Sequence, residues 1–219
     1  MAERGRDGAH RWRPTTRAQV LLSAPNVVCW LRAALLAAAI AAAHCARPLA
    51  AWWLAAASLA LDGLDGLLAR RLGQATAVGA ALDVTVDNAT RGWLWCGALP
   101  GGAGAAPMAL EATVFAFTHA AGGAEWKREF FAAAPRWAAA VMADGFRTPL
   151  GAAAVAGLMG CPLWAWAVRH LPPGCWQSLR FWGLLLVPCR LLAAAVEAWV
   201  LAAYCGRLAD ADLAAAAAR

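Results

Sequence analysis

Four aspartates, Asp62, Asp65, Asp83 and Asp87, stand within a segment otherwise rich in Ala, Leu, Val and Gly. Asp62 and Asp65 are three residues apart and Asp83 and Asp87 four, so on helices each pair shares one face. The residues between the pairs include Arg70, Arg71, Gly73 and Gln74, which predict a short polar reversal that lays two helices antiparallel with their carboxylates facing. Left unpaired in a membrane, each Asp costs about 2.5 to 3.5 kcal/mol and repels its neighbours. A hard divalent cation, Mg²⁺ or Mn²⁺, removes both penalties, because it prefers carboxylate oxygens and keeps positions open for phosphate oxygens. The cluster therefore reads as a metal site that takes a pyrophosphate. A solvated acidic helix end is the plainer alternative. An EF-hand is excluded: the spacing from Asp62 to Asp65 is wrong, Leu64, Leu67 and Leu68 occupy the loop, and no bidentate Glu follows.

The full pattern is Asp62-x2-Asp65-Gly66-x2-Ala69-Arg70-x8-Gly79-x3-Asp83-x3-Asp87. Gly66, Ala69 and Gly79 leave a notch beside the carboxylates in which a flat nucleotide can approach the backbone, and Arg70 can neutralise a phosphate there. Close helix packing through small residues, and an anchoring role for Arg70 and Arg71 at the membrane surface, are the alternatives. With this chain's own composition, these residue types at these spacings arise by chance roughly once in ten million. Coincidence is discarded on that ground.

The elements that must hold these residues are membrane helices. The 219 residues are 62% hydrophobic and 15% charged, with a mean hydropathy of +0.54, too apolar for an ordinary soluble domain. A helix needs about 20 apolar residues to span hydrocarbon. About six stretches qualify: 27–46, 49–69, 80–99, 103–121, 148–170 and 179–204. The expected fold class is all-α integral membrane, with an N-terminal amphipathic helix lying in the interface over residues 10–24. The expected division is a cytoplasmic or interfacial segment 1–24, a membrane domain 25–205 and a cytoplasmic tail 206–219. Arg4, Arg6, Arg11, Arg13 and Arg17 precede the first span, Arg70 and Arg71 follow the second, and Lys127, Arg128, Arg136 and Arg147 lie between the fourth and fifth. These ends are expected on the cytoplasmic side. The net charge of +6 then reflects topology and attraction to anionic headgroups, not a nucleic-acid footprint. The cysteines contain no C-x-x-C pair and read as small buried apolar residues, and the histidines lack metal-ligand spacing.

The pattern resembles the signature of the CDP-alcohol phosphatidyltransferases, integral membrane enzymes of phospholipid synthesis. Pro25-Asn26 and Arg32 resemble the opening of that family's first membrane helix, which argues against a cleavable signal ending near Ala46. The resemblance implies that Asp62, Asp65 and Asp83 hold the metal, and that Asp87 completes the site and serves as general base. It implies that Asn26, Gly66, Ala69, Arg70 and Gly79 line the pocket for the CDP moiety, that a CDP-linked lipid is the donor with CMP leaving, and that the protein is a homodimer. Residues 74–84 are most similar to the eukaryotic phosphatidylinositol synthase branch. The substrates expected from that likeness are CDP-diacylglycerol and myo-inositol, at a site facing the cytoplasm from the endoplasmic reticulum membrane. The chain departs from the branch at Asn88, where an arginine is usual. Arg32, Arg91, Arg147 and Arg190 are candidates for the headgroup pocket, with pairing to Glu111 or Glu197 as the alternative. Transfer to another alcohol such as glycerol 3-phosphate or serine, a non-catalytic scaffold and a transporter are the other readings.

Overall fold

The computed structural model describes residues 12–122, 134–172, 174 and 180–217. Arg4, Arg6, Arg11, Lys127 and Arg128, which carry part of the expected orientation, lie outside the described residues. Among those described the chain is helical, with no strand. The helices are α1 (Arg17–Leu21), α2 (Ala24–His44), α3 (Pro48–Ala60), α4 (Asp62–Arg71), α5 (Ala77–Ala98), α6 (Ala105–Gly122), α7 (Arg136–Phe146), α8 (Pro149–His170) and α9 (Arg180–Ala217).

Local chemistry sets the boundaries that matter for the aspartates. The α4 helix ends at Leu72, after which Gly73 takes φ +62° and the Gln74 N–H bonds the Ala69 carbonyl. That is a Schellman closure, in which the left-handed position suits a residue without Cβ. Thr76 then caps α5, its hydroxyl accepting from the Gly79 N–H at 3.0 Å. The expected polar reversal is therefore five residues long, from Leu72 to Thr76. Both α4 and α5 pack more heavily on α2 than on each other, so a third helix brings their carboxylates together.

Among the described residues three helices, α2, α8 and α9, are long and apolar enough to cross a membrane, by length and composition. The other expected spans map onto helices of a different kind. The stretch 49–69 is divided at Leu61 into α3 and α4, and α5 has 22 residues but carries Asp83, Asp87 and Arg91. The stretch 103–121 falls on α6, which is apolar over its described side chains, Ala105–Phe117. The expected interfacial helix is reduced to α1, five residues long and closed by a capping box between Thr16 and Gln19. It ends at Leu22, three residues before Pro25, which lacks the N–H that a through-helix would bond. At 38 residues α9 extends about 57 Å, against a hydrocarbon core of about 30 Å. It runs unbroken through residues 205 and 206, and its exposed Arg207, Asp210 and Asp212 lie near its end.

Two apolar clusters hold the bundle. Ala39, Ala51, Ala55, Leu59, Leu94 and Trp166 join α2, α3, α5 and α8. Ala138, Val141, Ala154, Val196 and Val200 join α7, α8 and α9. Large apolar side chains such as Trp53, Leu184 and Leu191 face outward, as they do where lipid is the solvent.

Candidate active site

Asp62 and Asp65 lie in the first turn of α4, and Asp83 and Asp87 are one turn apart on α5. What gathers them is Arg32 of α2, whose side chain is wholly enclosed. Its guanidinium reaches Asp62 at 3.1 Å, Asp65 at 2.5 Å and Asp83 at 2.6 Å, and also pairs with Asp87. The remaining N–H, at Nε, donates to the Ser58 carbonyl at 3.1 Å, while the Ser58 hydroxyl donates to the Arg32 carbonyl at 3.0 Å. This reciprocal pair fixes the stem of Arg32 against α3, so the fork is aimed rather than merely attracted. Asp65 also accepts from the Cys29 thiol at 3.3 Å.

The carboxylates differ in access. The side chain of Asp65 is 4% exposed and that of Asp87 11%, whereas Asp62 and Asp83 are 33% and 36% exposed. Asp65 and Asp83 form part of the wall of a cavity of about 220 Å³ that also includes Asn26, Gly66, Ala69, Arg70 and Gly79. Every residue expected at the nucleotide notch is thus in that wall. Asp62 and Asp87 stand beside Asp83 instead, the three bringing one oxygen each within 4.8 Å of one another.

The notch has a steric cause. A Cβ on Gly79 would lie 2.5 Å from Asn26 Oδ1 and 3.0 Å from Thr76 Oγ1, so glycine is what lets α5 approach α2 at this level. Asn26 donates through Nδ2 to the Val20 carbonyl at 2.7 Å, while its buried Oδ1 has no partner among the described residues. That acceptor faces Gly79, behind the surface of the cavity wall. Arg70 folds back over Gly66, where an added Cβ would lie 3.3 Å from its Nη1.

The donor set fits a hard cation. Three carboxylate oxygens within 4.8 Å of one another can share one ion at about 2.0 to 2.6 Å from each. One guanidinium in contact with four carboxylates leaves an excess of negative charge, which is costly in a membrane and which a divalent ion offsets. Cys29 also lies near Asp65 and Asp83, with its thiol hydrogen-bonded to Asp65.

A second buried set of charges adjoins the first. Arg91 pairs with Asp87 at 3.0 Å and with Glu111 at 2.6 Å, Glu111 pairs with Arg190 at 3.0 Å, and Arg190 pairs with Glu197 at 2.9 Å. Pairing, not an open headgroup pocket, is therefore the state of Arg32, Arg91 and Arg190. Arg147 is exposed and follows three residues of left-handed backbone, Asp144 to Phe146.

Sequence reasoning missed the centre of the site. Arg32 appeared as part of an opening motif and as a headgroup candidate, and Cys29 as apolar filling. A signal existed: Cys29 and Arg32 are three residues apart and share a face of α2 with Asn26, a polar stripe on an apolar helix. The family model described as CDP-alcohol phosphatidyltransferase matches residues 22–167, which include all the motif positions. No curated protein and no solved structure matches the chain.

Proposed function

The chain belongs to the CDP-alcohol phosphatidyltransferase family, and from that premise we propose that it transfers a phosphatidyl group from CDP-diacylglycerol to myo-inositol and releases CMP. The observation that carries this reading is the convergence of four carboxylates beside a cavity walled by Asn26, Gly66, Ala69, Arg70 and Gly79. The choice of myo-inositol rests on the sequence likeness at residues 74–84. Asn88 speaks for a second reading, in which another alcohol is the acceptor.

Asp62, Asp65, Asp83 and Asp87 would hold Mg²⁺ or Mn²⁺, which supplies positive charge to the phosphate oxygens of the donor and to the leaving CMP. Gly66, Ala69 and Gly79 admit the flat nucleotide against the backbone, Asn26 lines its pocket, and Arg70 pairs with phosphate. A cavity of about 220 Å³ is smaller than the roughly 300 Å³ at which whole-ligand pockets begin. The headgroup enters while the acyl chains stay in the bilayer. Asp87 takes the proton of the acceptor hydroxyl as its oxygen bonds to phosphorus, and the bond from that phosphorus to the CMP oxygen breaks, with the electron pair leaving on CMP. Each Asp87 oxygen has two lone pairs, so one on each stays available beyond the bonds to Arg32 and Arg91.

In the same reading α2, α3 with α4, α5, α6, α8 and α9 make six crossings within residues 25–205. The first 24 residues and the tail from 206 lie on the cytoplasmic side, the site opens toward the cytoplasm at the endoplasmic reticulum, and the protein works as a homodimer. The experiment is CMP release by purified protein given CDP-diacylglycerol and Mn²⁺ or Mg²⁺, with myo-inositol, glycerol 3-phosphate or serine. Inositol-dependent release that Asp87→Asn abolishes supports the proposal. Release with another alcohol moves the acceptor, and no release from folded protein with any of them returns the chain to scaffold or transporter.

A further inference from the structure

The buried charges beyond Asp87 have no part in the chemistry above, and burial makes them expensive to keep. Ionisable side chains inside membrane segments are rare, and replacing a buried ion network by apolar residues often leaves stability unchanged or raises it. Stability alone is therefore a weak reason for Arg91, Glu111, Arg190 and Glu197. Their side chains are 6%, 3%, 8% and 15% exposed, and they come from α5, α6 and α9.

Their connection is directional. Arg91 is held at each of its three nitrogens: Nε donates to Glu111 Oε2 at 2.6 Å, Nη1 to Asp87 Oδ2 at 3.0 Å and to Met159 Sδ at 3.4 Å, and Nη2 to Asn88 Oδ1 at 2.8 Å. Glu111 is held on its other oxygen by Arg190 Nη2 at 3.0 Å, and Arg190 Nη1 is tied to Glu197 at 2.9 Å. Two guanidiniums and two carboxylates cancel within this set, so it adds no net charge to the aspartate cluster. What it supplies is orientation. A carboxylate turns easily about its last torsion, and Asp87 is pinned from two sides, Oδ1 by Arg32 and Oδ2 by Arg91.

We propose that Arg91 is a positioning residue for Asp87, and that Glu111, itself braced by Arg190, holds Arg91 in the orientation that does so. The inference rests on the assignment of Asp87 as metal-holding general base. Asn88 belongs to the same device, since its amide oxygen fills the remaining arm of the Arg91 fork. Through this relay α6 and α9 reach the reacting end of α5 without touching substrate.

The test is a set of variants assayed by turnover and by Mn²⁺ binding followed by electron paramagnetic resonance. Arg91→Lys keeps the charge and loses the fork. It is expected to lower kcat about 10- to 100-fold, as loss of an outer partner does at metal sites, with KM for CDP-diacylglycerol within about twofold, and to weaken Mn²⁺ binding by a similar factor. Glu111→Gln is expected to lower kcat about tenfold in the wild-type background and to add nothing to Arg91→Gln, because it acts only through Arg91. The double variant removes one charge of each sign, which keeps the set neutral and guards against simple misfolding. Unchanged kcat and Mn²⁺ affinity in Arg91→Lys, or losses that multiply independently in the double variant, overturn the proposal. If wild-type protein shows no turnover, the assignment of function fails on its own, and the Mn²⁺ arm still decides whether Arg91 positions Asp87.

Discussion

Arg32 and Asp87 are 55 residues apart in the chain, yet Arg32 Nη2 donates to Asp87 Oδ1 inside the bundle. The same guanidinium contacts all four aspartates of the site. The bond joins α2 to α5 at the level where α4 arrives, so a single side chain of the first long helix organises carboxylates from two later ones.

Removing that side chain should leave the carboxylates without the cation they share. Breaking a buried pair by deleting one partner costs about 3 to 5 kcal/mol, so Arg32→Met is expected to unfold at a clearly lower temperature in detergent with EDTA. Added Mn²⁺ should raise its unfolding temperature by more than it raises that of wild type, since the ion then supplies the compensation that Arg32 gave and Arg91 reaches Asp87 alone among the four. Equal shifts in the two proteins would show that Arg32 and the metal do not share the cluster.

Metal removal makes a second, separate prediction. Asp62 and Asp83 are the two more exposed carboxylates, and the replacements Asp62→Asn and Asp83→Asn together remove two negative charges. EDTA should lower the unfolding temperature of wild type less at high metal than at low, and should not alter that of the double variant. A double variant that still responds to Mn²⁺ would place the ion elsewhere.

Two glycines on the neighbouring helices should respond in opposite ways. A Cβ on Gly79 meets Asn26 Oδ1 at 2.5 Å, while one on Gly63 meets nothing within 4 Å. Gly63→Ala is expected to be neutral or to stabilise by up to about 1 kcal/mol through helix propensity. Gly79→Ala is expected to destabilise by about 1 to 3 kcal/mol, the usual range for overpacking, and to weaken CDP-diacylglycerol binding. Thermal unfolding and KM for the donor measure both, and a silent Gly79→Ala would remove the close approach of α5 to α2 from the account.

The acceptor end gives a fourth expectation. Arg91 donates to Asn88, so Asn88→Ala should lower kcat with whichever alcohol is accepted, by less than Arg91→Lys does. Steady-state assays with each alcohol test this. A change of preferred alcohol instead of a fall in kcat would assign Asn88 to acceptor recognition.

Much of this was legible in the residues. Spacings of three and four put each aspartate pair on one helix face, Gly73 and Gln74 marked the reversal, and the small residues marked the notch, because these follow from local backbone geometry that any helix of that sequence repeats. The membrane class followed from composition in the same way, since apolar length is a property of the chain and not of its packing. What local geometry does not contain is the rotation of one helix against another. Tertiary packing therefore decided that α2 stands between α4 and α5, that Arg32 gathers the aspartates until oxygens of Asp62, Asp83 and Asp87 lie close together, and that Cys29 and Ser58 serve them. It also decided that Arg91, Glu111, Arg190 and Glu197 close on one another from α5, α6 and α9. Long charged side chains can reach in many directions from a helix, and only the neighbours that desolvate them select one.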